Sequence, residues 1–331
     1  MKKSGEFSSY VRDTETFEAE FGVHPNIVIP NMDKNGDDIP YQCPEVAIEI
    51  PQAGVTRDHV PLHIQNPFDQ NESTQLNARI TLETRVPASH RGIHMSRVGN
   101  IIAEVSTKMY SNLQECAIDL AELLSESQYE GGAAVEITAP FSFVEEVIGW
   151  KDQVSKKSLE TIRLSVNTGL NGEELIQNAG IEVSNITACP CVQQTYKHVL
   201  LAKGITDSTM NDLDPLLTHS QRCNTKVTLT NLPETLPIIN LLKIIDNTVV
   251  RVQNTLPRDQ ELLMVYRAHK SPQFMEDVVR NLLGTTYSYF SSKYSSSGIE
   301  VTTKSIESIH DFDIHAKVSY SFAELKNILK K

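Results

Sequence analysis

Apolar and polar residues alternate along several segments of the chain, and this period of two predicts β-strands. The alternation covers residues 76–85, 133–139, 162–166, 299–303 and 314–320, with shorter signals around Val183 and Val227. Elsewhere apolar residues recur every three to four positions, which predicts helices. Helices of this kind run from Val98 to Met109, from Leu113 to Leu124 and from Ile238 to Val252, and a further helix is predicted to begin at Ser271-Pro272.

The predicted elements occur in the same order in both halves of the chain: strand, strand, helix, helix, strand, strand. Antiparallel sheets that carry helices on one face belong to the α+β class. We therefore predict an α+β protein with an N-terminal arm (residues 1–44), a first module (45–172) and a second module (173–331). The arm is polar, rich in Asp, Asn and Gly, and shows few regular periods.

Composition narrows the range of functions. The 331 residues are 40% hydrophobic, which is enough for a sizeable core, and the net charge of -12 argues against a general nucleic-acid or anionic-membrane binder. No apolar run is long enough to span a bilayer, and the first residues do not have the pattern of a signal peptide. Five cysteines are too few and too scattered for a disulfide framework, so we expect a reducing cytoplasm.

A basic segment, Arg91-Gly92-Ile93-His94-Met95-Ser96-Arg97, lies between a predicted strand and a predicted helix. Two guanidinium groups, an imidazole and a hydroxyl near unpaired helix N–H groups suit a polyphosphate. The alternative is a solvated turn that only starts the helix. P-loop, G-x-G-x-x-G and G-x-S-x-G motifs are absent from the sequence, which argues against Walker-type phosphate transfer and esterase chemistry.

Two further segments carry metal-binding or nucleophilic groups. Cys189-Pro190-Cys191 lies at the end of a predicted strand, where a thiolate can bind a metal or act as a nucleophile. Two buried structural cysteines are the alternative. His219 precedes another strand and is a candidate metal ligand, while Gln221 and Arg222 beside it can hold polar atoms of a substrate. A surface or structural histidine is the other interpretation.

Acidic residues complete the set. Glu261 and Glu276 are fifteen positions apart, and a carboxylate can ligate a metal or accept the paired N–H groups of a guanine edge. The early-helix position of Glu276 is also explained by the helix dipole alone. Glu307 and His310 face opposite sides if their segment is extended and can converge if it turns.

Taken together, these segments resemble the type IB GTP cyclohydrolases. Arg91–Arg97 is similar to the family's [K/R]-G-x-H-M-S-R segment, Cys189–Cys191 to its C-P-C turn, and Thr218–Arg222 to its H-x-Q-R segment. Glu261 and Glu276 match two family glutamates at the same separation, and Glu307–His310 matches E-S-I-H. The resemblance extends from about residue 40 to the C-terminus.

The resemblance implies a tunnelling fold with two such modules per chain, assembled as a homotetramer (a dimer of dimers) whose active sites are shared between subunits. It implies one divalent metal per subunit, held by Cys189, His219, Glu261 and His310. Cys189, Cys191, Glu307 and His310 would be catalytic. The residues implied to bind GTP are Glu276, Arg91, His94, Ser96, Arg97, Gln221 and Arg222.

The stretch between Cys191 and His219 is longer than in short bacterial members and looks more like the archaeal branch. This implies Fe²⁺ in preference to Mn²⁺ or Zn²⁺. It also implies dihydroneopterin 2′,3′-cyclic phosphate in preference to the triphosphate. The alternatives are a metal-free nitrile reductase of the same fold that uses a cysteine and NADPH, a non-catalytic purine- or pterin-binding module, and a structural zinc protein.

Overall fold

A single ten-stranded sheet dominates the protein. The computed structural model describes residues 14–24, 39–129, 132–148, 155–212 and 215–329. The strands are β1 (Ile50–Asn66), β2 (Asp69–Val86), β3 (Met109–Tyr110), β4 (Ala133–Ile148), β5 (Ser155–Asn171), β6 (Glu174–Ala188), β7 (Ser220–Thr230), β8 (Val250–Arg251), β9 (Gly298–Ile306) and β10 (Ile314–Ser321). The helices are α1 (Thr14–Phe21), α2 (Met95–Val105), α3 (Leu113–Ser127), α4 (Pro190–Ala202), α5 (Asp207–Asp212), α6 (Ile238–Thr248), α7 (Arg258–Lys270), α8 (Met275–Phe290) and α9 (Phe322–Ile328). A short 3₁₀ turn, Ile39–Tyr41, precedes β1.

The sheet is continuous across both halves of the chain. Its strand order is β10-β9-β7-β6-β5-β4-β2-β1-β3, and β8 pairs with β6. Only the short pairing of β3 with β1 is parallel among the described strands. The predicted α+β class, with helices and a mostly antiparallel sheet, is confirmed. The boundaries of the arm and of the two modules stay predictions.

Period-two alternation buries one face of the long strands. In β2, Leu76, Ala78, Ile80 and Leu82 are each at most 1% exposed, and the residues between them point away from the core. The apolar stripes of α2, α3, α6 and α8 pack with these strand residues into one hydrophobic cluster. Burying one such leucine or isoleucine stabilises the fold by about 1.5–3 kcal/mol. Among the described helices, none has the length and apolar character needed to cross a membrane.

The predicted start of α8 is wrong by three residues, because the helix begins at Met275 and not at Ser271-Pro272. Ser271 instead lies at the C-terminal end of α7, a helix that the apolar pattern does not predict. At the start of α8, the Asp277 carboxylate accepts a hydrogen bond from the backbone N–H of Phe274 at 3.3 Å. The side chain thus satisfies one donor near the helix end.

Candidate active site

The ends of β6 and β7 bring Cys189 and His219 together. Ala188 pairs with Ser220, and the next backbone hydrogen bond runs from the N–H of Cys189 to the carbonyl oxygen of His219 at 3.0 Å. The Thr218 hydroxyl donates to the carbonyl oxygen of Cys189 at 2.6 Å. Pro190 then occupies the first position of α4, where its missing N–H costs no hydrogen bond. The strand register therefore holds these two residues side by side.

The ring of His219 is oriented by the segment that follows β9. Its Nδ1 lies 3.0 Å from the hydroxyl oxygen of Ser308. This contact exists because Arg222 of β7 pairs with Ile306 of β9, so that the chain after β9 runs past His219. A histidine that uses one ring nitrogen in this way presents the other to a metal or substrate. The sequence identifies Ser308 only as part of the E-S-I-H motif and does not predict its contact with His219.

Glu307 and Gln221 lie on the same stretch of the sheet. The Ser305 hydroxyl donates to Oε1 of Glu307 at 2.6 Å. Ser305 is the register partner of Cys223, which lies two residues after Gln221 and therefore shares its face of the sheet. Within the described structure, the Gln221 Oε1 is buried and has no hydrogen-bond partner. An unpaired buried acceptor is costly, so this oxygen is suited to an N–H group of a ligand.

The first turn of α8 covers this part of the sheet. The Sδ of Met275 lies 3.7 Å from the Sγ of Cys223, and the exposed Glu276 follows directly. Cys223 is fully buried, and burial raises the pKa of its thiol. Met275 therefore packs the start of the helix against β7, the strand that also carries Gln221. Sequence reasoning did not identify Cys223 as a residue of this region.

The complete predicted metal set does not converge within one chain. Among the described residues, no group of three or more His, Cys, Asp and Glu side chains is placed to hold a metal ion. Glu261 is exposed in the first turn of α7, and His310 is exposed and stacked on Phe312 at 5.0 Å between ring centroids. A cysteine sulfur and a histidine nitrogen are common ligands of divalent transition metals. Cys189 and His219 therefore fit as two ligands, and the described part of the chain does not bring a third beside them.

The other predicted catalytic cysteine and the neighbouring arginine are both accessible. Cys191 is exposed in the first turn of α4, two residues after Cys189. Arg222 is exposed on β7, and its side chain points to the face opposite Cys223 because successive strand residues alternate. Arg222 is thus adjacent to Gln221 in sequence but lies on the other side of the sheet.

The basic segment divides into exposed and buried groups. Arg91 and Ser96 are exposed, and Ser96 lies in the first turn of α2. His94 occupies the N-cap position of α2 but makes no side-chain capping bond. His94 is only 3% exposed, and its binding of substrate stays a prediction. Arg97 is half-buried and donates to the Ser127 carbonyl oxygen at 2.7 Å.

The segment leading to α7 is anchored on the hairpin of β4 and β5. Arg251 donates to Glu145 at 2.7 Å and lies 3.7 Å from Glu160. The backbone N–H of Asn254 also donates to Glu160, at 3.1 Å, and that of Thr255 donates to the Ser158 hydroxyl at 2.8 Å. These bonds fix the start of the helix that carries Glu261.

A cleft of about 710 Å³ lies beside this helix. Arg251, Gln260, Tyr266, Lys270 and Gln273 are among the residues that line it. None of the predicted site residues lines this cleft. The volume of a cleft therefore does not identify the active site. The ends of β6 and β7 around Cys189 and His219 are the better candidate.

Comparison with known proteins identifies similar sequences over most of the chain. The sequence model of the family described as "Type I GTP cyclohydrolase folE2" matches residues 37–316. A GTP cyclohydrolase MptA of Thermoplasma volcanium is 27% identical over 296 residues, which cover 88% of this chain and 98% of that protein. Another, from Methanococcus aeolicus, is 28% identical over 308 residues, covering 87% and 97%. Among solved structures, the uricase of Arthrobacter globiformis has a TM-score of 0.42 at 10% identity, covering 82% of this chain and 93% of that one.

Proposed function

The chain belongs to the type I GTP cyclohydrolase folE2 family, a family of hydrolases that act on GTP, and we propose the following course for its reaction. Water adds at C8 of the guanine imidazole ring, the ring opens, and C8 leaves as formate after a second hydrolysis. The ribose then rearranges and closes onto the freed amine to give a 7,8-dihydroneopterin phosphate. The observation that carries the proposed site is the placement of Cys189 beside His219 at the ends of paired strands.

We propose that Cys189 and His219 hold one divalent metal ion per subunit, together with Glu261 and His310. Such an ion, when bound, would lower the pKa of a coordinated water far below that of bulk water, towards about 7. Sulfur, nitrogen and oxygen ligands accept several divalent ions, and Fe²⁺ is our choice ahead of Mn²⁺ or Zn²⁺. The Ser308 contact to Nδ1 supports this assignment, since it leaves Nε2 of His219 as the ligand atom.

The chain's own residues bind the base and move protons. Glu276 accepts the N1–H and 2-amino groups of guanine, and the unpaired Oε1 of Gln221 accepts a further N–H. Glu307 or His310 transfers protons during ring opening, as carboxylates and imidazoles commonly do. Cys191 lines the pocket beside Cys189 and also takes part in catalysis. Arg222 was predicted to bind substrate, and it would do so from the opposite face of the sheet, at a neighbouring subunit.

The phosphates of GTP are bound by the basic segment. Arg91, Ser96 and Arg97 supply guanidinium, hydroxyl and helix N–H donors at the start of α2, where an anion is stabilised. His94 is buried and packs beneath the surface of this segment. The pocket served by these donors belongs to the same subunit or to a neighbouring one.

We propose a homotetramer of tunnelling-fold subunits, built as a dimer of dimers, in which neighbouring chains complete each site. Both halves place two strands before a group of helices and two strands after it, as β1, β2, α2, α3, β4, β5 and as β6, β7, α6, α7, α8, β9, β10, and the second half adds α4 and α5 between β6 and β7. This approximate repeat supports the fold. Apolar side chains are exposed around the separated site residues: Ile309 and Phe312 beside His310 are 58% and 57% exposed, and Leu217 near His219 is 64% exposed. Exposed apolar residues of this kind are typical of a protein–protein contact.

The favoured product is the 2′,3′-cyclic phosphate, with the triphosphate as the alternative. The support is the long stretch between Cys191 and His219, which forms α4 and α5 and is similar to archaeal members. Both relatives named above are described as GTP cyclohydrolase MptA. We place the enzyme in the cytoplasm, in keeping with its five free cysteines.

Anaerobic incubation of the purified protein with GTP and either Fe²⁺ or Mn²⁺ tests this function. Formate release and the fluorescence of the oxidised pterin report ring opening, and mass spectrometry separates the cyclic phosphate from the triphosphate. Parallel samples without metal, and samples with NADPH and a nitrile substrate, test the metal-free reductase. Absence of formate under all metal conditions would refute the proposed reaction, and equal rates with and without metal would refute the metal.

A further inference from the structure

The last residues of the N-terminal arm are fixed onto the basic segment. The carbonyl oxygen of Pro40 accepts a hydrogen bond from the backbone N–H of Arg91 at 2.9 Å. The same oxygen lies 3.1 Å from the hydroxyl of Tyr129, which also donates to the carbonyl oxygen of Gly92 at 2.6 Å. These contacts place Tyr41, the next residue of the arm, directly over the start of α2.

Tyr41 holds the guanidinium group of Arg97. The Nη2 of Arg97 donates to the Tyr41 hydroxyl at 3.2 Å, and its central carbon lies 5.8 Å from the centre of the tyrosine ring. On its other side, Nη1 donates to the carbonyl oxygen of Ser127 at 2.7 Å. A guanidinium group has five N–H donors, so two contacts with the protein leave others for an anion. The protein therefore restrains the guanidinium group of Arg97 and leaves some of its N–H donors for an anion.

Packing of aromatic rings keeps Tyr41 in place. Its ring centre lies 4.5 Å from that of His94, 5.7 Å from that of His90 and 5.8 Å from that of Tyr129. His94 and Tyr129 are buried, whereas Tyr41 is still 36% exposed. The ring thus packs against two buried rings and reaches the surface, where the phosphates would bind if the basic segment has its proposed role.

We propose that Tyr41 is a positioning residue, which orients Arg97 towards the phosphates of GTP. This inference rests on the proposed role of the basic segment in phosphate binding. An arginine side chain loses considerable rotational freedom when it binds an anion, and a partner that already restrains it lowers that loss. The arm therefore takes part in substrate binding through one side chain, without touching the guanine.

The tyrosine hydroxyl separates this role from simple packing. Tyr41→Phe keeps the ring and removes only the group that accepts from Arg97. Tyr289→Phe is a matched control, because it removes another hydroxyl that accepts a side-chain hydrogen bond, from Asn240, at the far end of α8. A variant that combines Tyr41→Phe with Arg97→Met tests whether the two side chains act together.

The experiment measures equilibrium dissociation constants of GTP and of guanosine for these variants, with formate release followed on the same samples. We expect Tyr41→Phe to weaken GTP binding about 3- to 10-fold, as for the loss of the net contribution of one ordinary hydrogen bond. Guanosine binding should be unchanged, since it carries no phosphate. Tyr41→Phe should have no further effect once Arg97 is methionine. The turnover number at saturating GTP should stay at the wild-type value.

Three results would overturn the inference: a GTP affinity in Tyr41→Phe equal to that in Tyr289→Phe, an equal loss for guanosine, or an undiminished effect in the Arg97→Met background. Unchanged GTP binding in Arg97→Met alone would also overturn it. The proposed reaction fails separately, by absence of formate from the wild-type protein. The binding measurements still decide the role of Tyr41 in that event.

Discussion

Replacing Arg251 with methionine should destabilise the protein more than any exposed ion-pair substitution. The guanidinium group donates to Asp246 and Glu145, each at 2.7 Å, and lies 3.7 Å from Glu160. The Arg251 side chain is 9% exposed and that of Glu160 is 3% exposed. Methionine has a similar length and fills much of the same space, so the main loss is the positive charge. Three carboxylates would then face one another with this partner removed.

The expected loss follows from the burial of the pair. Removing one partner of a buried ion pair typically costs about 3–5 kcal/mol, because the remaining charge is left in a poorly solvated place. Arg163→Met is the control, since Arg163 lies 3.9 Å from Glu182 and is 57% exposed. Exposed pairs of that kind contribute about 0–1 kcal/mol. The difference between the two variants should therefore be about 2 kcal/mol or more.

The loss should depend on pH with a definite sign. Burial raises the pKa of Asp246 above its ordinary value, and Arg251 opposes that rise through its hydrogen bond and its charge. Without Arg251 the pKa rises further, so the folded variant binds a proton that the unfolded chain, with an aspartate pKa of about 3.9, has released. The stability of the variant then falls as pH rises through this interval. Its deficit relative to wild type should be smaller at pH 5 than at pH 8.

Urea denaturation followed by far-UV circular dichroism, at pH 5, 6.5 and 8 and at fixed protein concentration, measures both effects. Activity is measured on the same protein preparations. It is informative because Arg251 and its neighbours anchor the start of α7, the helix that carries Glu261. A deficit no larger than that of Arg163→Met would contradict the argument from burial. A deficit that grows towards pH 5 would contradict the assignment of the carboxylates as the destabilising groups.

Three further predictions concern the site and its cysteines. Cys189→Ala should lose bound metal and formate release. When it is assembled 1:1 with His310→Ala, about a quarter of wild-type activity should return if each site takes these two residues from different chains. Metal analysis and formate assays check this, and no recovery would place both residues in one chain. Burial raises the pKa of the Cys116 thiol to about 12, so in the folded protein iodoacetamide at pH 8 should modify the exposed Cys191 and spare Cys116, as peptide mass spectrometry would show. Glu276→Gln should reduce the preference for GTP over ITP, which lacks the 2-amino group, by about a hundredfold or more in kcat/KM; an unchanged ratio would remove Glu276 from the guanine edge.

Strict alternation and helical periodicity predict most of the sheet and its covering helices, but β1 escapes this reasoning. Its core-facing residues include Val60, Leu62 and Ile64, yet the strand begins with a polar, proline-containing segment. His59 adopts a positive φ of 60°, at the place where the register with β2 shifts. A bulge of this kind interrupts the alternation from which a strand is recognised. Hydrogen bonding to β2 stabilises β1 where the local sequence pattern alone does not predict a strand.

The candidate site shows the same division between local chemistry and long-range pairing. The types of Cys189, His219 and Glu276 indicate metal and base binding from the sequence, but only the register of β6 with β7 places the first two side by side. His94 was predicted as a substrate contact because its imidazole suits an anion. That role stays a prediction, and the contact of His94 with Tyr41 across about fifty positions has no signal in local sequence.

Exposure separates the predicted site residues into two groups, and the separation has a physical meaning. Cys189 and His219 are held by backbone and side-chain hydrogen bonds within the fold, so a single chain can place them. Glu261 and His310 are exposed on a helix and a loop, beside apolar residues that water solvates poorly. In the proposed tetramer a second copy would cover these residues, which would bury the apolar groups and bring Glu261 and His310 to the proposed metal. On that proposal, activity should depend on assembly, because a single chain would supply only part of each site.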